Sequence, residues 1–327
     1  MKISFVIPAY NEEKFLRPCL QSILDEARAA SHLVEIIVVN NASTDSTKQV
    51  ALSFPGVIVV DELKKGLTHA RVAGFRAATG DLVANLDADS MLTPGWINNV
   101  VNQFLRRPQL VAVSGPVIYH DMSLGSNLLI RIYYYAAYVN YFLNRLLFRV
   151  CVLAQGSNLT VKKFALDKIG GYNDKIVFYG EDTELGRRIS KIGPVLFTFK
   201  IPIYTSGRRF YSEGLIVTGF NYALNFFWIN LFRRPYHQVY TDVRQQTEKT
   251  ATTNMGTLNS TLTAIIIIVA IWSGVFLFYG ARTSTAAALG SRIHTIEIKG
   301  RHSWIVRSVN HAYHKTTANI NKRIDRR

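Results

Sequence analysis

Cysteine is nearly absent from this chain of 327 residues, which holds only Cys19 and Cys151. Two such residues give neither a disulfide framework nor a C-x-x-C metal pair, and they fit a reducing compartment. The eight histidines include no H-E-x-x-H or H-x-H spacing, so none is assigned to metal. No G-x-G-x-x-G follows a strand-like run, which disfavours a dinucleotide-dependent dehydrogenase. Internal repeats and low-complexity linkers are missing. So is a secretory leader: the N-terminus enters a strand-like run at once, Lys2–Ile7, which places the N-terminal part in the cytosol as an expectation.

Acid is also scarce, with 22 Asp and Glu against 38 Lys and Arg, a net charge of +16. Such a balance calls for an anionic partner: nucleic acid, an anionic membrane or a phosphorylated substrate. Zinc-finger spacing, an RNA-recognition signature and a basic-region zipper are all lacking, so no nucleic-acid partner is expected. The charge is uneven. Residues 281–327 carry ten Lys or Arg against Glu297 and Asp325, a net +8 in the tail alone. That tail follows Leu258–Gly280, 23 uncharged residues, long enough to span a bilayer. Gly214–Phe232 is also uncharged but contains Asn221, Asn225 and Asn230, which suits a membrane interface better than its core. Asn127–Val150 is helical and aromatic, with Arg131, Arg145 and Arg149 as its only charges. A membrane is therefore an expected partner, with the N-terminal part on the cytoplasmic side. One span would then carry the basic tail outside, against the positive-inside tendency, unless the tail returns or a second crossing occurs at 214–232.

The first third alternates short apolar runs with helical patterns. Strands are predicted at Ile3–Ile7, Val34–Val39, Val57–Val60, Leu82–Leu86 and Leu110–Val113. Helices are predicted at Glu12–Ala29, Ser43–Leu52, Leu67–Ala78 and from Thr93-Pro94-Gly95 through Leu105. Continuous apolar strands between helices imply an α/β fold with a mostly parallel sheet covered on both faces. Ligands bind such sheets beyond the carboxyl ends of the strands. Three polar clusters fall there: Pro8-Ala9-Tyr10-Asn11-Glu12, Asn40–Asp45 and Asp87-Ala88-Asp89.

Asp87-Ala88-Asp89 is the sharpest of these. Two carboxylates one residue apart, just past a buried strand, offer hard oxygens for Mg²⁺ or Mn²⁺ bridging to a diphosphate. The same residues also suit a strand-to-helix turn capped by Asp89 or Ser90. Tyr10 offers a stacking face. Gly180-Glu181-Asp182-Thr183-Glu184 opens a helix. Its acids either complement the helix dipole or place Asp182 as a general base for an acceptor hydroxyl. Arg71, on the helix after Gly66, and Arg208-Arg209 are candidate partners for phosphate, or ordinary surface cations.

Taken in order, five segments resemble family-2 glycosyltransferases of the GT-A fold. They are VIPAYNEEKFLRPCLQSI at 6–23, IIVVNNASTDST at 36–47 and KKGLTHARVAGFRAATGDLVANLDADSMLTPGW at 64–96, then AQGSNLTVKKFALDKIGGYND at 154–174 and YGEDTELGRRISKIGPV at 179–195. The resemblance implies an inverting, metal-dependent transfer of a sugar from a nucleotide-sugar donor to a hydroxyl of a glycan or lipid-linked acceptor. It implies that Pro8, Tyr10 and Glu12 line the nucleotide pocket and that Arg71 lies near the donor phosphates. Asp87 would face ribose and metal, Asp89 would ligate the metal, and Gly156-Ser157-Asn158 would shape the sugar pocket. Glu181-Asp182 would be the acceptor-side acids, with Asp182 as base. Asn40 stands where the family usually has an Asp that accepts a bond from uracil. An Asn oxygen can still accept that bond but leaves the base open; the resemblance favours a UDP-sugar, with a GDP-sugar as the alternative. Tyr204-Thr205-Ser206 and then Arg208-Arg209 replace the histidine that many relatives carry, leaving the third metal ligand open. The expected division is a nucleotide-sugar-binding half at 1–115, an acceptor-binding half at 116–213, an interfacial segment at 214–257, a membrane helix at 258–280 and a basic tail at 281–327. The rival readings are a nucleotidyltransferase that makes nucleotide sugars and a catalytically degenerate family member serving as a membrane scaffold.

Overall fold

A computed structural model describes residues 1–148, 153–176, 178–232, 234–236 and 242. Its centre is a seven-stranded sheet in the order β3-β2-β1-β4-β8-β6-β9. The strands are β1 Lys2–Ala9, β2 Leu33–Asn40, β3 Val57–Asp61, β4 Leu82–Leu86, β6 Ala112–Ser114, β8 Asn158–Lys162 and β9 Val195–Phe197. A second sheet joins β5 Met91–Leu92, β10 Ile203–Thr205 and β7 Val117–Tyr119. In the large sheet β8 runs antiparallel to both β4 and β6, and every other pairing is parallel. The mostly parallel α/β expectation holds.

The β-branched runs form strands because both faces are covered. Ile3, Phe5 and Ile7 enter one buried cluster with Leu16, Cys19, Leu20 and Ile23 of α1 (Leu16–Ala29). That i, i+3, i+4, i+7 spacing is the apolar stripe of a surface helix. Val6 and Val39 enter the other cluster under α3 (Leu67–Ala77). Gly74 lets α3 lie directly on β1, since a Cβ there would overlap the Val6 side chain.

Boundaries shift where turn chemistry intervenes. β1 runs through Pro8, which pairs with Val39 of β2. The β4 register ends at Val6, so the missing N–H of Pro8 removes no bond on that side. The first helix starts at Leu16 rather than Glu12, because Asn11 turns the chain with φ 51°. The second starts at Thr47, where Asp45 Oδ1 accepts the Thr47 N–H at 2.9 Å, and spans Thr47–Leu52 as α2. α4 (Trp96–Arg106) is capped from a distance: Glu26 of α1 accepts the Gly95 N–H at 2.8 Å and the Ile97 N–H at 3.3 Å. α5 spans Leu124–Phe148, and α6 spans Lys163–Lys168. α7 spans Glu181–Ile189, α8 Arg208–Glu213 and α9 Leu215–Phe232. Among the described residues no helix is long and apolar enough to cross a membrane. The expected span at 258–280 and the tail at 281–327 lie outside the described residues.

Candidate active site

The loops after β1 and β2 are laced together, and this fixes Glu12. Asn11 Oδ1 accepts the Thr44 N–H at 2.8 Å, the Glu12 N–H meets Thr47 Oγ1 at 2.7 Å, and the Ser46 N–H meets Glu13 Oε2 at 3.0 Å. Asn41 does the same for the loop after β3. Its Nδ2 donates to the carbonyls of Glu62 and Lys64, and its Oδ1 accepts the Gly66 N–H at 2.8 Å.

One cavity opens at this edge of the sheet. Pro8, Tyr10, Glu12, Asp87, Asp89, Arg208 and Arg209 all line it. These are seven of the residues singled out from the sequence, drawn from the chain's start, its first third and residues 208–209. The cavity also takes Lys65, Gln155, Ser157, Tyr119, Thr205 and Tyr222. Lys65 was missed: its ammonium sits 3.8 Å from the centre of the Tyr10 ring. The signal was present, because Lys64-Lys65-Gly66 follows the third strand at the same edge as the three clusters above.

Arg71, Glu181 and Asp182 do not line the cavity; they adjoin it through Asp87. Arg71 is 1 % exposed. Its Nη1 pairs with Glu181 Oε1, and its Nη2 lies 3.3 Å from Asp87 Oδ1. Burial pushes the Glu181 carboxyl up to about 7, against the pull of Arg71. Burial also raises the Asp182 carboxyl, against the donors Thr183 N–H (2.7 Å to Oδ1) and Gly156 N–H (3.2 Å to Oδ2). A side chain at position 156 would crowd the buried pair, since a Cβ would stand 2.8 Å from Glu181 Oε1 and 3.2 Å from Arg71 Nη1, closer than van der Waals contact. Tyr133 and Tyr134 of α5 and Tyr222 of α9 stand close enough for the Asp182 charge to help raise their hydroxyl pKa values, after burial.

Asn40 is not among the lining residues. Its Nδ2 donates to Asp61 Oδ1 at 2.8 Å, which fixes the amide so that the oxygen faces the other way. That Oδ1 is buried and without a hydrogen-bond partner. Arg209 pairs with Glu213 at 2.8 Å and lies over Phe178. Arg208 holds Glu12 at 2.5 and 2.9 Å and Asp89 at 3.0 Å.

The donor set suits a hard divalent cation. Asp87 and Asp89 both face the cavity, and the Asp87 side chain is 40 % exposed. No three His, Cys, Asp or Glu side chains converge as a metal cluster among the described residues. Two carboxylates with the remaining positions left to phosphate oxygens and water is the usual arrangement for Mg²⁺ with a nucleotide.

The model for glycosyl transferase family 2 matches residues 4–170, just over half the chain, and the chain belongs to that family. The uncharacterized glycosyltransferase YibD of Escherichia coli strain K12 is 34% identical over 108 residues, 32% of this chain and 30% of that protein. The dodecaprenyl-phosphate galacturonate synthase of Rhizobium johnstonii is 31% identical over 113 residues, 33% of each. Glycosyltransferase GlyA of Streptococcus pneumoniae is 28% identical over 116 residues, 34% of this chain and 16% of GlyA. The chain thus spans a third or less of the length of these three relatives. The mannosyltransferase PcManGT of Pyrobaculum calidifontis, solved with GDP-Man and Mn²⁺, superposes with a TM-score of 0.54 at 19% identity, covering 88% of this chain and 74% of that one. That likeness establishes the fold as the mostly parallel sheet of GT-A type.

Proposed function

We propose that this chain transfers a sugar from a nucleotide-sugar donor to an acceptor hydroxyl, with Asp182 as the base and inversion at the anomeric carbon. The observation that carries the reading is the Arg71 guanidinium, which contacts both Glu181 of α7, the neighbour of Asp182, and Asp87 of the Asp87-Ala88-Asp89 turn, 94 positions away in sequence. This contact supports reading the donor and acceptor acids as one site. The acceptor hydroxyl gives its proton to Asp182 Oδ2, the oxygen with the longer of the two backbone bonds. The hydroxyl oxygen then attacks the anomeric carbon as the nucleoside diphosphate leaves. Asp87 and Asp89 would hold Mg²⁺ or Mn²⁺, which neutralises the departing diphosphate. Tyr10 offers a stacking face for the base. UDP-sugars are the first candidates, as the family resemblance suggests, although Asn40 itself stands outside the cavity. The Mn²⁺ and GDP-Man complex of the Pyrobaculum neighbour is consistent with both the metal and a GDP-sugar.

A lipid-linked acceptor is supported by α5. The helix has no acid, and Leu124, Leu128, Ile132, Tyr135 and Val139 are all exposed along one stripe. Off that stripe, Tyr133 and Tyr134 lie near enough to Asp182 for its charge to act on their hydroxyls. One face would thus meet an anionic membrane while another borders the base, which keeps the catalytic part on the membrane surface. The partial match to a dodecaprenyl-phosphate sugar synthase points the same way.

The test is Asp182→Asn. A positioned carboxylate is worth roughly 10²–10⁴ in rate, so turnover should fall by that factor while donor binding stays. A variant within about tenfold of the parent rate would remove Asp182 from the role.

A further inference from the structure

The Arg208 guanidinium lies between two carboxylates that different strands deliver. Nη1 and Nη2 fork onto Glu12, at 2.9 and 2.5 Å, and Nη2 also reaches Asp89 Oδ2 at 3.0 Å. The guanidinium is steadied over the Phe15 ring, 4.9 Å from its centre. Asp89 is one of the two carboxylates assigned above to a divalent cation. Its Oδ1 accepts the Thr205 hydroxyl at 3.4 Å, and its Oδ2 faces Arg208.

A guanidinium and a divalent cation seek the same carboxylate oxygen, and each repels the other at that range. A diphosphate reverses the balance, because it accepts the planar fork of an arginine as well as a carboxylate does. The backbone at this point is anchored. Asp121 accepts the Gly207 N–H at 2.7 Å and the Ser206 hydroxyl at 2.6 Å. Exchange therefore requires the Arg208 side chain to swing, not α8 to move.

We propose that Arg208 is a resident counter-ion that shares Asp89 with the divalent cation, and that the donor diphosphate draws it away, so that cation and nucleotide bind as a coupled pair. This rests on the assignment of Asp87 and Asp89 to the cation. Cation alone meets a carboxylate already neutralised. Nucleotide frees that carboxylate and supplies further oxygens, and by reciprocity each ligand tightens the other.

Mn²⁺ binding to the full chain, followed by calorimetry or by the paramagnetic signal of free Mn²⁺, tests this without turnover. The titration is made with Mn²⁺ alone and then with UDP or GDP present. A charge-assisted pair is worth roughly tenfold or more in binding, so Arg208→Gln should bind Mn²⁺ alone about tenfold tighter than the parent and lose most of the nucleotide's enhancement. Arg208→Lys, which keeps the charge but cannot fork both acids, should fall between the two. Arg106→Gln, which removes the same charge from an exposed position on α4, should match the parent. An Arg208→Gln affinity within about twofold of the parent, with Asp89→Asn still abolishing binding, overturns the counter-ion proposal alone. Should Arg208→Gln fail to fold, an Arg208→Lys variant indistinguishable from the parent overturns it equally. Asp89→Asn that binds Mn²⁺ as the parent does, with nucleotide present, overturns the metal assignment beneath it.

Discussion

Replacing Arg71 by methionine removes the charge that links the two acidic motifs and leaves its aliphatic length in place. The guanidinium is 1 % exposed and serves Glu181 and Asp87 together. Removing one partner of a buried pair costs about 3–5 kcal/mol, because the other charge is left buried and uncompensated. Glu181 can escape part of that cost by taking a proton. Its carboxyl is already held up near 7 by burial against the pull of Arg71, and without that pull it goes higher. The sign follows from proton counts. The unfolded chain releases the Glu181 proton around 4.5, whereas the folded chain keeps it to higher pH, so stability falls as pH rises through this window. In the parent the fall ends near 7. In Arg71→Met it continues above 7 at up to about 1.4 kcal/mol per pH unit. Urea midpoints at pH 6, 7, 8 and 9 read this directly. Adding Glu181→Gln to Arg71→Met should recover stability at pH 8 and flatten the profile, since the orphaned charge is gone. An Arg71→Met variant within about 1 kcal/mol of the parent at pH 8, with an unchanged pH profile, would refute the claim that this pair is buried and charged.

Two further outcomes are expected. Glu35 is held down to about 2, for although burial opposes its charge, Lys2, Ser4 and Thr79 all donate to it. A depressed acid stabilises above its unfolded value of 4.5 and loses that contribution as pH falls toward 2. After discounting for solvent, Glu35→Gln should cost about 1–2 kcal/mol at pH 7 and almost nothing at pH 2; an equal cost at both would contradict the linkage. On α5, Leu128→Glu with Ile132→Glu replaces two exposed apolar side chains, so the fold should hold while sedimentation with phosphatidylglycerol vesicles falls by roughly tenfold or more. Vesicle binding unchanged by that pair would remove α5 from the membrane face.

The strands that build the cavity floor are legible because both of their faces are buried. Val34–Val39 and Leu82–Leu86 read as mostly apolar runs, each broken by one polar residue, Glu35 and Asn85, and the structure adds at most a residue at their ends. Strands of two or three residues, β5, β7 and β10, leave no such run, so the second sheet was invisible. It is that sheet, through Thr205, that brings Arg208 to Asp89. The Glu12–Arg208 contact joins residues 196 apart, and no periodicity encodes a pairing at that distance. Lys65 was readable, since it follows the third strand at the same edge, whereas the role of Asn41 in holding the loop after β3 is a contact that its place in the Asn40–Asp45 cluster does not encode. Asp87, Asp89 and Asp182 were placed by their motifs alone. That Arg71 contacts both Asp87 and Glu181 was not foreseeable, because an Arg on a helix after a glycine is more often solvated.

The position of β8 has a consequence for how the chain is made. β6 has only β8 and β9 as neighbours, and both come later in the sequence. As the polypeptide leaves the ribosome, β1 to β4 can assemble a four-stranded platform, but β6 finds no place on it until residues 158–162 have emerged. Until then β4 presents an open edge for the whole time needed to synthesise the α5 region. Slowing translation within 116–157 should therefore prolong exposure of a sticky intermediate, whereas pauses after residue 197 should not.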